Sequence, residues 1–207
     1  REISCGDNGG LSADYRWANS NCGSGPRYSW EGGGWSQTVI SPRSDDVTSG
    51  AINIGFTFRI YGQNHTRVYI GSNGTMSFGT DGGNACCSGR TLPTDYSNLE
   101  NQPMIAGFWG DIDYNTVQWK VIGNAGTRRF IYQHSGREYS AGTTVVFQVV
   151  LFEGSNEIQI NIQNAQYTRR SLSIGIQRDA QTALQAIYQA SGQVSRYTNY
   201  AIRFTPR

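Results

Sequence analysis

From residue 51 onward the chain places an apolar side chain at every second position. Ile52, Ile54, Phe56, Phe58 and Ile60 alternate with Asn53, Gly55, Thr57 and Arg59. A period of two fits a half-buried strand and does not fit a helix. Tyr61-Gly62-Gln63-Asn64 turns the chain and residues 66–70 return it. Ser72-Asn73-Gly74 then supplies the Asn-Gly signal of a tight hairpin before residues 75–78. Strand patterns resume at 104–109, 117–122 and 129–133. Residues 143–152 are apolar on both faces, as a central covered strand requires. Ile158, Ile160 and Ile162 alternate with Gln159, Asn161 and Gln163, and Leu172, Ile174 and Ile176 repeat the pattern before Ile202 and Phe204. Only residues 179–190 are ambiguous, because Leu184, Ile187 and Tyr188 also suit a short helix. About ten short strands at a spacing of roughly 8–12 residues predict an all-β, antiparallel β-sandwich.

Residues 1–50 read differently. They hold Cys5, Cys22, the Gly9-Gly10 and Gly32-Gly33-Gly34 runs, and Trp17, Trp30 and Trp35, with little periodicity. This predicts two regions: an irregular, cysteine-containing N-terminal arm over 1–50 and the sandwich over 51–207. Within the second region, residues 80–102 form a long polar loop through Asp81-Gly82-Gly83-Asn84, Cys86-Cys87 and Leu92-Pro93. Loops of such length are uncommon and are often functional.

Composition narrows the function. Net charge is +2, 15% of residues are charged, and Lys120 is the single lysine beside sixteen arginines. Such a small charge with scattered arginines argues against nucleic acid as a partner. No apolar run reaches the roughly 20 residues of a membrane-spanning helix. Arginine does, however, pair with carboxylates and stack on aromatic rings, and twelve tyrosines and five tryptophans are present.

Several ordered motifs carry a family resemblance. Gly55-Phe56-Thr57-Phe58 with Tyr61-Gly62 is followed by Val68-Tyr69-Ile70, Ser72-Asn73-Gly74 and Phe78-Gly79. Next come Pro103-Met104-Ile105-Ala106, Phe108-Trp109 and Asp111-Ile112-Asp113, then Phe147-Gln148-Val149-Val150-Leu151 and Glu157-Ile158. Together they resemble the nidogen-type extracellular domain and its bacterial surface-protein relatives, from residue 54 to about 192. Gly107 and Gly110 depart from the bulkier or acidic residues of that pattern, and the first fifty residues have no counterpart in it. The resemblance implies an extracellular β-module of adhesion or matrix assembly, with no catalytic residues to carry over.

Four cysteines allow three pairings. No Cys-x-x-Cys spacing points to zinc. Pairing Cys86 and Cys87 with Cys5 and Cys22 would staple the arm onto the long loop, and this is the favoured expectation. In the alternative, a Cys5–Cys22 bridge closes a loop of about 18 residues, worth about 3 kcal/mol in the chain-entropy picture. Cys86 and Cys87 then form a vicinal or an intermolecular pair. Each arrangement suits an oxidising, extracellular setting.

Catalytic signatures are sparse. His65 and His134 lie in different hairpins, and no Gly-x-Ser-x-Gly elbow exists. Asp111-Ile112-Asp113-Tyr114-Asn115 opens like a calcium loop, but Thr116 and Ile122 occupy the positions of the EF-hand glycine and bidentate glutamate. Asp111 and Asp113 therefore stand as candidates for a looser calcium site at a strand end. Glu153 and Glu157 join them as candidates for paired-carboxylate hydrolysis by residue type alone. Asn64-His65-Thr66 and Asn73-Gly74-Thr75 match the N-glycosylation pattern, making Asn64 and Asn73 candidate acceptors. Trp17, Tyr28, Trp30 and Trp35 are candidate contacts for a glycan or protein partner, against the alternative of a small core under the arm. The expectation is a non-catalytic extracellular structural or adhesion protein that associates with itself, as a homo-oligomer, a filament or a surface-layer subunit. The alternative is a lectin-like module binding matrix or cell-surface glycans.

Overall fold

The computed structural model describes residues 13–207, so Cys5 and the Gly9-Gly10 run lie outside the described residues. Its strands are β1 (Tyr15–Asn19), β2 (Ile40–Ser44), β3 (Ile52–Ile60), β4 (Gln63–Ile70), β5 (Thr75–Phe78), β6 (Met104–Trp109) and β7 (Ile112–Ile122). They continue with β8 (Arg129–Glu138), β9 (Thr144–Phe152), β10 (Ile158–Tyr167), β11 (Leu172–Asp179), β12 (Thr182–Gln189) and β13 (Ser195–Pro206). One sheet has the order β1-β13-β10-β9-β8-β7-β2 and the other β12-β11-β6-β5-β4-β3, with antiparallel pairing throughout. The all-β sandwich is as expected, with more strands than the ten or so read from the pattern.

The period-two signal survives intact in β3, where residues alternate buried and exposed along the whole strand. Its ladder with β4 lapses between Asn53 and Phe58. Gly55 sits there at φ +86°, and a Cβ would lie 3.3 Å from Val121 Cγ2 of the facing sheet. Between the sheets, Phe108 anchors an aromatic cluster, its ring centroid 5.8 Å from those of both Phe147 and Tyr167. Edge-to-face and offset contacts of this kind add to the area buried.

The ambiguous stretch at 179–190 is a strand. Asp179 Oδ1 accepts the backbone N–H groups of Gln181 and Thr182, closing a tight turn that starts β12 where a helix would otherwise have begun.

The arm needs correcting. Its described part is not a separate unit, because β1 and β2 form the two edges of the seven-stranded sheet. Tyr15 and Trp17 face inward on β1 and belong to the main core. Short strands of five residues carry too little alternation to register as a period, and so the arm read as irregular.

Each outer face of the sandwich is closed by the chain itself. Residues 80–103 pack on the six-stranded sheet, where Ala85, Leu92, Leu99, Met104, Ala106, Trp109 and Ala183 make a second apolar cluster. Trp109 Nε1 donates to the Ala85 carbonyl at 2.8 Å, and Gln177 holds the loop through Thr94 N–H and the Thr94 carbonyl. Residues 26–37 cross the outer face of the seven-stranded sheet as a strap, described next.

Candidate functional site

The strap rests on a row of side-chain amides. Register places Asn161 opposite Gln148, Gln148 opposite Gln133 and Gln133 opposite Gln118, all on the outer face. Ser29 N–H donates to Asn161 Oδ1, while Glu31 exchanges two hydrogen bonds with Gln148, one from its N–H and one to its carbonyl. Gln159 Nε2 reaches the Arg27 carbonyl, and Gln148 Nε2 also reaches Gln133 Oε1. At the far end Lys120 Nζ donates to the Gly32 and Gly33 carbonyls, and Ser36 pairs with the Trp119 backbone. Buried polar groups must be satisfied, and here Asn161, Gln148 and Gln118 bond the backbone of an irregular segment while Gln133 accepts from Gln148. The sequence shows the alternation of polar and apolar residues in β10 without showing what covers the polar half. The signal was available in residue type, since Gln118, Gln133, Gln148 and Asn161 are amides where solvated strand faces more often carry charges.

Two abutting lobes flank the strap on this sheet. One, of about 310 Å³, is lined by residues including Arg16, Trp17, Ser24, Glu157 and Arg203. The other, of about 380 Å³, is lined by residues including Arg27, Ser29, Glu31, Arg129, Phe152 and Asn161. Gly25, Pro26 and Arg203 belong to both. Arg203 pairs with Glu157 at 3.1 Å, donates to Gln159 Oε1 at 2.9 Å and lies 5.0 Å over the Phe152 ring. Arg129 pairs with Glu31 at 2.9 Å.

The tryptophans and tyrosine singled out from sequence part company. Trp17 fills core. Tyr28 and Trp30 stack on each other at 6.3 Å, half-exposed on the strap. Trp35 lies beneath the Lys120 ammonium at 4.4 Å.

A second polar group forms at one end of the sandwich. Glu138, fully buried, accepts from Thr143 Oγ1, from Thr168 N–H and Oγ1, and from the N–H groups of Arg169 and Arg170. That node fixes the β10–β11 turn, from which the Arg170 side chain reaches Asp111 at 3.0 Å. Burial pushes the Asp111 carboxyl up to about 6; Arg170 opposes this, and Asp45, Asp46 and Asp113 add to it. Asp113 is raised as well, mainly by burial, against the pull of Arg137. Asp111 and Asp113 are thus brought together with two further aspartates that sequence spacing did not reveal. A cation here would have to displace Arg170 from Asp111. The acids weighed for hydrolysis are also engaged, Glu153 with Arg128 at 2.7 Å and Glu157 with Arg203.

Asn73 is fully buried and donates Nδ2 to Asp46 Oδ1 and the Asn84 carbonyl, while its Oδ1 accepts Ile112 N–H. This corrects its candidacy as a glycan acceptor, because a glycan on Nδ2 would have no room in this fold and would displace both of those hydrogen bonds. Asn64 is exposed in β4. The favoured disulfide staple is also corrected: Cys86 and Cys87 are joined to each other. Cys22 is disulfide-bonded too, and neither adjacent cysteine is left to pair with it. Among the described residues, the side chains grouped closely enough to share a metal are Asp46, Cys86 and Cys87. The disulfide removes both thiolates from that set.

The departures at Gly107 and Gly110 have a structural reason. A Cβ on Gly107 would lie 2.8 Å from Val149 Cγ2, and one on Gly110 would lie 2.5 Å from the Tyr167 hydroxyl. Tyr167 takes that space and accepts Asp111 N–H at 2.7 Å.

Two antiparallel sheets, closed outside by their own polypeptide, define a β-sandwich module. A family model described as NIDO related matches residues 27–206, and the chain belongs to that family. The resemblance carried by residues 54–192 is therefore borne out, and the match reaches back to include the strap. Domains of this type are non-enzymatic and typically extracellular. Among the described residues no helix is long and apolar enough to cross a membrane. Comparison with curated proteins and with solved structures gave no match.

Proposed function

We propose that this chain is an extracellular structural or adhesion module that works by association, with a second copy of itself as first partner. The observation carrying this reading is the edge of the six-stranded sheet at β12. Among the described residues this strand pairs only with β11, and Tyr188 at its end and Val194 in the following turn are 45% and 60% exposed. An unpaired edge offers backbone hydrogen bonds to an incoming strand, and apolar side chains beside it add burial. Both outer faces are already covered, which leaves edges as the natural surface for joining copies. Sedimentation velocity and negative-stain microscopy of the native protein test it. Oligomers or filaments are expected, reduced in Tyr188→Lys with Val194→Lys; a monomer at all concentrations overturns it. Deleting the arm is a poor test, since it removes β1 and β2 from the sheet.

A second reading, saccharide binding, is favoured by the half-exposed Tyr28–Trp30 stack on the strap. Aromatic faces of this kind pack against sugar rings. Loss of retention on a glycan array in Trp30→Ala is the expected result.

A further inference from the structure

The two lobes beside the strap carry more positive charge than the fold consumes. Four arginines line them, Arg16, Arg27, Arg129 and Arg203, against two glutamates, Glu31 and Glu157. Both glutamates are spoken for by Arg129 and Arg203. Arg16 and Arg27 are exposed, and no carboxylate among the described residues pairs with either. Unpaired like charges at the rim of a concave surface concentrate field and attract anions. Guanidinium adds geometry, since its fork matches the oxygens of a carboxylate or sulfate in pairs.

The interior is suited to hydroxyl groups. Asn161 is 1% exposed yet lines the larger lobe. Its Oδ1 accepts from Ser29 N–H and Gln159 Nε2, while its Nδ2 makes no hydrogen bond among the described residues. This unused amide donor is available to a ligand oxygen in the lobe. Ser24 and Ser29 offer hydroxyls, and Pro26 offers an apolar face shared by both lobes. Volumes of about 310 and 380 Å³ fall at the lower end of the range for ligand pockets, roughly 300–1,000 Å³. Each is closer to the size of one sugar ring than of a folded partner.

We infer that this cleft binds an acidic oligosaccharide, its rings placed on either side of Pro26 and its anionic groups held by Arg16 and Arg27. The inference rests on the saccharide-binding reading above and adds the ligand class and the site. Nucleic acid shares the charge but not the small, hydroxyl-lined lobes, and it enters the test as a competitor.

The experiment is calorimetric titration of the full chain with four probes: an oligogalacturonate hexamer, a chondroitin sulfate hexasaccharide, cellohexaose and a twelve-residue oligothymidylate. Binding of one or both acidic sugars is expected, weakening with salt, with cellohexaose and oligothymidylate at least tenfold weaker. Arg16→Ala with Arg27→Ala should lose at least tenfold in affinity with an unchanged circular dichroism spectrum, because neither side chain holds the fold. Arg67→Ala with Arg196→Ala is the charge-matched control and should bind as the parent does. Equal binding of cellohexaose, or unaltered affinity in the Arg16/Arg27 variant, overturns the inference while leaving the saccharide reading standing. Oligothymidylate binding as tight as the acidic sugars overturns it in favour of a general polyanion surface. Absence of binding to every sugar overturns both.

Discussion

Replacing Glu138 with alanine tests the claim that one buried carboxylate organises the polar end of the sandwich. The side chain accepts three backbone N–H groups and two hydroxyls, at 2.6 to 3.3 Å. Each backbone N–H left without a partner costs about 1–3 kcal/mol if water is excluded. Arg169 is exposed and Arg170 and Thr168 are half-buried, so water recovers part of this. The loss should be about 4 kcal/mol in sum, which for a chain of this size lowers Tm by about 8–16 °C. Glu138→Gln keeps the shape but turns an NH2 toward donors and should lose about half as much. Thr143→Val removes a single donor and should cost about 0.5–1.5 kcal/mol, as for one ordinary hydrogen bond at a half-buried position. Thermal and urea unfolding measure these, and amide exchange at Thr168 and Arg169 localises them, since both amides should be protected in the parent and fast in Glu138→Ala. A loss under about 1 kcal/mol in Glu138→Ala, or unchanged exchange at those two amides, would refute the reasoning.

Two buried groups should give opposite pH signatures. His134 is fully buried, and burial holds it down to about 3, so its contribution to stability is complete above its free value of 6.5 and is lost as pH falls toward 3. Asp111 is raised from 3.8 to about 6, so its contribution grows as pH falls from 6 to 4. Relative to the parent, His134→Gln should therefore gain stability on acidification below 6.5. Asp111→Asn should lose it between pH 6 and 4, each by up to about 1.4 kcal/mol per pH unit; urea midpoints across pH that run parallel to the parent's contradict both. Gly107→Ala should overpack the space between the sheets and cost about 1–3 kcal/mol, with Val149→Ala recovering part of it in the double variant. Gln148→Leu should free the strap, seen as faster proteolytic cutting at Gly32 to Gly34 while the far-ultraviolet spectrum stays unchanged; protection equal to the parent's counts against the amide row as the strap's anchor.

Much of the sandwich was legible because its signal is local. Alternation over nine residues in β3, the Asn73-Gly74 turn and the two-faced apolar run of β9 follow from backbone geometry and burial alone. They needed no knowledge of what lay opposite. The ordered motifs from Gly55 to Ile158 even placed the family. What escaped was whatever depends on a distant partner. Trp17 could be a partner contact or part of a small core under the arm until the pairing of β1 with β13 set it in the main core, and Asn73 stood as a candidate glycan acceptor until Asp46 and Asn84 closed over it. Cys86 and Cys87 looked like an anchor for the arm, which is instead held by β1, β2 and amide side chains. The clearest case is the outer face of the seven-stranded sheet. Successive members of the row Gln118, Gln133, Gln148 and Asn161 are 13 to 15 residues apart in sequence, and only strand register sets them side by side. Polar residues on a strand face satisfy water and a polypeptide strap equally well, so the sequence specified their alternation while the tertiary structure decided what they bind.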